Sequence, residues 1–308
     1  MGSVSIVIPT LNRPKALKRA VESALAQTDL GDLDVEILVI DNSSDGNARD
    51  LVESIAPGAN RPVHYVSAPV PGVANARNAG VNAAQGRWVA FLDDDEQASE
   101  TWLSQHVETA RKSGADAVFG PVSANAENGL KIGPLGPYFA RQFNRTDGED
   151  VTDLAPYLGT NNSLFNREIC LLGDGPFDTT LNETGGEDTL LLKRLVDDGR
   201  RFAWSEHATV TEWVPERRLN WAYVRKRKFL SGQIRVLTHQ KSAEWGRIAF
   251  WMCAGMAQIV LHGIAAIAFR PFNKIRAEKA SVKVCGGLGK VLWMPRFRPA
   301  LYGSGLVS

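Results

Sequence analysis

The sequence predicts an α/β protein: a mostly parallel sheet with helices on both faces, followed by a basic helical tail. Three observations carry this. Short β-branched runs at 4–8, 35–40, 63–66 and 87–92 alternate with stretches of helical periodicity, the pattern of βαβ units. The chain then loosens into a Gly-, Pro- and Asn-rich excursion over 121–158 before order returns at 161–165. Charge is also split. From Trp213 onward there are 17 Lys and Arg against 3 acids, whereas the first 212 residues carry 18 against 31.

Each element has its own signal. Val4 to Ile8 reads as a strand stopped by Pro9-Thr10, and Asn12 is placed to cap a helix with Pro14 in its first turn. Ala16, Leu17, Ala20, Val21, Ala24 and Leu25 recur at helical spacing. Strands over 35–40 and 63–66 follow, then a helix over 74–84, the strand over 87–92 and a helix near 100–113. Residues 117–119 and 201–204 read as later strands, and a helix starts near Glu187-Asp188. The 308 residues suffice for one large domain or two small ones. The three cysteines show no paired or metal-ligand spacing, so a reducing, intracellular setting is expected. The N-terminus lacks a basic segment followed by a long apolar one, which argues against a signal peptide.

The chemistry concentrates in Phe91-Leu92-Asp93-Asp94-Asp95-Glu96, an apolar strand end that turns into four carboxylates. Crowded like charges are costly without a cation among them. A divalent ion such as Mg²⁺ or Mn²⁺ takes oxygen ligands and shares them with substrate phosphates. In open α/β sheets ligands bind beyond the carboxyl ends of strands, where these acids lie. The alternative is a solvated acidic turn. Asp41 ends another strand, where a carboxylate either meets a nucleoside or closes an Asx turn. The run from Asp41 to Gly46 is not an EF-hand loop, because Val52 stands where the bidentate Glu belongs. Gly72-x-x-x-Ala76-Arg77-Asn78-x-Gly80 sets a bend before a helix with one cation in its first turns, suited to phosphate or to a plain surface. Gly185-Gly186-Glu187-Asp188 opens a helix with acids that either complement its dipole or supply a general base. The five histidines are scattered, and neither a Gly-x-Ser-x-Gly elbow nor a Walker-type loop is present, excluding a P-loop enzyme and a serine hydrolase of that type.

In the tail, 248–269 holds 22 residues without a formal charge between Arg247 and Arg270. A helix of that length is about 33 Å long, enough for a bilayer core. Three readings stay open: a spanning helix, one embedded in a single leaflet, and a buried soluble helix. Lys274, Arg276, Lys279 and Lys283 follow, a cytoplasmic-side signature if the helix spans. An anionic membrane surface accounts for both the charge and the apolar stretch over 213–308; nucleic acid accounts for the charge alone.

Together these pieces resemble the family 2 glycosyltransferases of the GT-A fold, a Rossmann-like sheet. The matching elements are Val7-Ile8-Pro9-Thr10-x-Asn12-Arg13, Val39-Ile40-Asp41-Asn42-Ser43-Ser44-Asp45, the Gly72–Gly80 run, Phe91-Leu92-Asp93-Asp94-Asp95, Gly159-Thr160-Asn161-Asn162-Ser163 and Glu187-Asp188. Glu212-x-Val214-Pro215-x-x-Arg218, Arg225 to Gly232, Gly286-Gly287-Leu288-Gly289-Lys290 and Leu301-Tyr302-Gly303 look like the bacterial exopolysaccharide, succinoglycan-type branch.

The resemblance implies a catalytic domain over 1–212, with a nucleotide-binding half (1–120) and an acceptor half (121–212), before the tail at 213–308. It implies that Pro9, Thr10, Asn12, Arg13, Asp41, Arg77, Asp93 and Asp94 border a nucleotide diphosphate sugar, UDP-linked, and that Asp95 with Asp93 holds Mn²⁺ or Mg²⁺. Asp188 would be the base, with Glu187 beside it, and Asn161 and Asn162 would meet the acceptor. The implied activity is inverting hexosyl transfer to a glycan or lipid-linked hydroxyl at the cytoplasmic face of a bacterial inner membrane. A Gln-x-x-Arg-Trp motif is absent, so single additions are expected rather than polymerisation. The alternatives are a sugar-1-phosphate nucleotidyltransferase and a non-catalytic nucleotide-sugar-binding protein.

Overall fold

The structure, a computed structural model, describes residues 2–182 and 184–297. The Leu301-Tyr302-Gly303 match lies outside them. In chain order the elements are β1 (Ser3–Thr10), α1 (Pro14–Leu25), β2 (Asp34–Asp41), α2 (Arg49–Ile55), β3 (Val63–Ser67), α3 (Val73–Ala83), β4 (Trp88–Phe91), β5 (Glu96–Ala98), α4 (Trp102–Ser113) and β6 (Ala117–Phe119). Then come β7 (Val122–Ala126), β8 (Ser163–Asn166), α5 (Arg167–Cys170), α6 (Glu187–Asp197), β9 (Phe202–Trp204), β10 (Val210–Val214), α7 (Trp221–Lys241), α8 (Trp245–Phe269) and α9 (Lys274–Val291).

Seven strands form one sheet in the order β3-β2-β1-β4-β8-β6-β9, and β5-β10-β7 form a smaller second sheet. The large sheet is parallel except for β8, which runs antiparallel to β4 and β6. Successive residues of β1 feed opposite faces. Ile6 and Ile8 pack with Leu17, Val21 and Trp102, whereas Val7 packs with Ile40, Phe91 and Phe165. Burial on both faces explains why the strands read as apolar runs rather than alternating ones.

Several boundaries differ from expectation. Pro9 and Thr10 continue β1, because the register carries them opposite Ile40 and Asp41. Asn12 does not cap α1: its backbone is left-handed (φ 57°) and its side chain accepts a hydrogen bond from Asn47. Arg13 takes the cap position without its side chain capping the helix, and Pro14 begins the first turn. The excursion over 121–158 contains β7, which pairs in parallel with β10. β10 spans position 212, so the expected division between 212 and 213 falls inside a strand.

The tail folds into three helices, with α9 packed along both α7 and α8. Glycine makes this possible. A Cβ on Gly289 would collide with the carbonyl oxygen of Phe229, and one on Gly232 with that of Gly286. The glycines near the chain end thus let α9 approach α7 at backbone distance. Only Ile248 and Gly255 of α8 are buried, so the buried-soluble-helix reading is not supported.

Candidate active site

β1 and β4 are neighbours, and both end at the same edge of the sheet. The acid run therefore emerges beside Thr10 and Arg13. The Thr10 hydroxyl donates to Asp94 Oδ2 at 2.8 Å, and Arg13 donates to Asp94 Oδ1 at 2.9 Å and Asp95 Oδ2 at 3.1 Å. From the far side Arg218, just beyond β10, donates to the same Asp95 oxygen at 3.1 Å and lies 3.8 Å from Glu212. Glu96 turns inward: its Oε2 accepts the Asp93 amide at 3.1 Å and its Oε1 accepts the Asn161 side-chain amide at 2.8 Å.

Arg77, one turn into α3, connects this run to the start of α6. Its guanidinium donates to Glu187 Oε1 and lies 3.6 Å from Asp93 Oδ1. Asp188 follows Glu187. Its Oδ1 accepts the Thr189 amide at 2.6 Å and the Thr189 hydroxyl at 3.2 Å. Its Oδ2 faces Gly159, where an added Cβ would approach it to 3.2 Å. The acid run and the Glu187–Asp188 pair thus share one cleft.

The electrostatics show a site short of positive charge. Burial, helped by Asp95, raises the Asp93 carboxyl, with Arg77 opposing. Asp94 is pushed up to about 6 by burial against the pull of Arg13. Glu96 is raised well above the usual range by burial and then by Asp93. Glu187 reaches about 7, because burial and the Asp188 charge outweigh Arg77. Glu212 also reaches about 7, by burial and then Asp95.

One residue escaped the sequence reading. Arg141, in the middle of the excursion, donates to the carbonyls of Gly120, Gly159, Asn161 and Asn162 and to Asn161 Oδ1. Burial lowers it to about 10, opposed by Glu96, Asp93 and Asp188. It braces the loop that faces Asp188. A lone arginine in a Gly- and Pro-rich segment carries no spacing signal, so only the fold reveals it.

Residues 5–171 match the sequence profile described as Glycosyl transferase family 2. The chain belongs to that family. Succinoglycan biosynthesis protein ExoM of Rhizobium meliloti (strain 1021) is 35% identical over 237 residues, 75% of this chain and 73% of the relative. The GalNAc(5)-diNAcBac-PP-undecaprenol beta-1,3-glucosyltransferase of Campylobacter jejuni subsp. jejuni is 30% identical over 131 residues, 42% of this chain and 41% of the relative. S. aureus TarS, solved in complex with UDP, superposes with a TM-score of 0.53 at 17% identity, covering 94% of this chain and 90% of that one; it shows the GT-A fold. The chain is a glycosyltransferase, which sets aside the nucleotidyltransferase and binding-protein alternatives.

Several expected contacts of the transferase take a different form. Asn162 is completely buried: its Oδ1 accepts from Trp102 and His106, and its Nδ2 donates to the carbonyls of Pro121 and Ala208. A side chain so engaged reaches no acceptor, so that expectation is corrected for Asn162; Asn161 remains at the cleft. Asp41 is likewise buried, and its oxygens accept from Ser43, from the Ala48 amide and from Tyr65. It shapes the loop after β2. The N-terminal amides of α3 at Ala74 and Asn75 are taken by Asn182, at 2.9 and 3.3 Å, rather than left for phosphate. Gly72 (φ 136°) permits that closeness, since any Cβ there would collide with Asn182.

The acid run fits a divalent ion in part. Asp93 and Asp95 are hard oxygen donors. Among the described residues no three His, Cys, Asp or Glu side chains converge to hold an ion alone. The remaining ligands would have to come from substrate oxygens, as is usual for Mg²⁺.

Proposed function

We propose that this glycosyltransferase moves a hexosyl unit, with inversion, from a nucleoside diphosphate sugar, UDP-linked, to a hydroxyl of a glycan or lipid-linked acceptor in bacterial exopolysaccharide or surface-glycan synthesis. The observation that carries this reading is Arg77, which ties Asp93 to Glu187 and keeps the acid run and Asp188 in one cleft. The UDP in the TarS complex and the lipid diphosphate in the name of the Campylobacter relative support the choice of donor and acceptor.

Asp188 Oδ2, which accepts no hydrogen bond among the described residues, takes the proton of the acceptor hydroxyl as that oxygen attacks the anomeric carbon. The bond to the diphosphate breaks on the opposite face of the sugar. Pro9, Thr10 and the loop braced by Asp41 border the nucleoside, and Arg13 and Arg218 stand on the leaving-group side beside Asp95. Asp95 and Asp93 would hold Mn²⁺ or Mg²⁺, which supplies Lewis-acid stabilisation to the departing diphosphate. Asn161 lies where the acceptor approaches.

The tail brings the enzyme to the cytoplasmic face of a membrane. Phe250, Met256, Val260, Leu261, Ile264 and Ile267 form an exposed apolar stripe on α8. α9 packs along α8 and carries Lys274, Arg276, Lys279 and Lys283. Carrying such charges to the bilayer centre costs at least about 2.5 kcal/mol each. An in-plane helix avoids that cost and leaves the lysines at anionic headgroups. Of the two membrane readings, the interfacial one is favoured.

Asp188→Asn tests the assignment. Transfer should fall by several orders of magnitude while binding of the nucleoside diphosphate is retained; wild-type turnover in the variant would end it. Asp95→Ala should abolish stimulation by Mn²⁺, and activity unchanged by chelator would refute the metal role.

A further inference from the structure

Between Asp188 and the apolar face of α8 lies a group of cations that the transfer chemistry does not use. Lys228 and Arg235, seven residues apart and so on one side of α7, face Lys290 of α9. Arg235 stacks over Trp251 of α8 at 5.3 Å and over Tyr157 at 4.6 Å, and Lys290 Nζ lies 5.2 Å from the Trp251 ring centroid. Lys228 packs beside Gly286, one turn before Lys290. Among the described residues, no carboxylate lies within ion-pair distance of any of the three. Desolvation first, then Arg235 and Lys228, holds the Lys290 ammonium below its ordinary pKa, and Lys228 is lowered likewise by desolvation, Arg227 and Arg235. Like charges held together without a counter-ion favour a multivalent anion.

The group is joined to the reacting end of the cleft from two sides. Ile234, next to Arg235, packs on Gly186 just before Glu187-Asp188. Arg235 also donates to the Pro156 carbonyl at 3.0 Å, and the chain from there reaches Gly159 beside Asp188. On the other side Trp251 lies on the inner face of α8, and the exposed apolar stripe occupies the outer face of the same helix. The order is base, cations, apolar surface.

We propose that Lys228, Arg235 and Lys290 bind the diphosphate of an isoprenoid-diphosphate-linked acceptor, so that its lipid runs along α8 and its sugar reaches Asp188. This rests on the transferase reading above and adds to it where the acceptor's anionic linkage sits.

The test is calorimetric titration of the detergent-solubilised full chain with farnesyl diphosphate and, separately, with UDP in the presence of Mn²⁺. Lys228→Gln and Lys290→Gln should each weaken farnesyl diphosphate binding about tenfold or more, the loss of one charge-assisted contact, with UDP affinity within about twofold of wild type. Lys228 makes no side-chain hydrogen bond among the described residues, so Lys228→Gln carries the test if Lys290→Gln unfolds. Equal losses for UDP would assign the cluster to the donor and overturn the proposal. Unchanged farnesyl diphosphate binding in both variants would overturn it too. So would selective loss of binding to phosphatidylglycerol vesicles with farnesyl diphosphate binding kept, which points to bulk lipid. A wild-type chain that binds UDP but not farnesyl diphosphate refutes this proposal alone; one that binds neither refutes the UDP-donor reading beneath it.

Discussion

Arg77 is the residue whose removal should cost most in the cleft. It is 6% exposed and its partner Glu187 4%, and their contact crosses from α3 to α6. Removing one member of a buried ion pair leaves the other charge uncompensated, typically about 3–5 kcal/mol. Arg77→Met should therefore lower the free energy of unfolding by that amount, read from urea midpoints at constant slope. Glu187→Gln removes the charge that Arg77 balances but leaves Arg77 its second partner, Asp93. The double variant should then be more stable than the two single losses imply, with a coupling of about 1–3 kcal/mol. Losses that add within about 0.5 kcal/mol would show that the two side chains are not energetically linked. Arg77 would then not be what holds the acid run against α6.

Glu187 also predicts a pH effect. Its folded pKa of about 7 lies above its ordinary 4.5, so its stabilisation is full below pH 4.5 and is lost as pH rises toward 7, on the order of 3 kcal/mol. Glu187→Gln should flatten the stability–pH curve in that window; an unchanged curve would refute the assignment. His106 has the opposite sign: burial lowers it to about 4, so stability is present above pH 6.5 and lost as pH falls through 4, and His106→Gln should remove that acid sensitivity in thermal melts. Asn162→Ala leaves two buried donors and the Ala208 carbonyl without partners, at about 1–3 kcal/mol each, while Pro121 keeps the Val210 amide, and should unfold or severely destabilise the chain by calorimetry. Gly289→Leu should separate α9 from α7 and weaken vesicle binding in flotation while leaving UDP affinity intact.

The sheet was legible because it is periodic. Strands buried on both faces leave continuous apolar runs, and the residues that end them are polar whatever the ligand. What stayed hidden was set by contacts between distant segments. β10 is five residues long and is stabilised by β5 and β7, each more than eighty positions earlier. Asn161 and Asn162 are adjacent in sequence and alike in chemistry, yet one bonds Glu96 in the cleft and the other is sealed beneath it by a left-handed backbone (φ 48°). Arg141 offered no pattern because its partners are mostly backbone carbonyls, which every sequence supplies. The same limit applied to Asp41: a strand-end aspartate reads identically whether it faces a base or its own loop.

The charge inventory bears on how the proposed donor and cation would enter the cleft. Asp93, Asp94, Asp95, Glu96, Glu187, Asp188 and Glu212 face Arg13, Arg77, Arg141, Arg218 and Arg227. Acids outnumber cations, and the pKa values of five of the seven are raised by burial first, with the neighbouring carboxylates adding to it. A diphosphate entering alone would add negative charge to a site already in excess. Arriving with a divalent ion it would add no net charge, and the ion beside Asp95 would release Arg13 and Arg218 to face phosphate oxygens. Donor affinity should therefore depend steeply on the ion, whereas the acceptor's diphosphate, met by cations of its own at Lys228, Arg235 and Lys290, should bind without one.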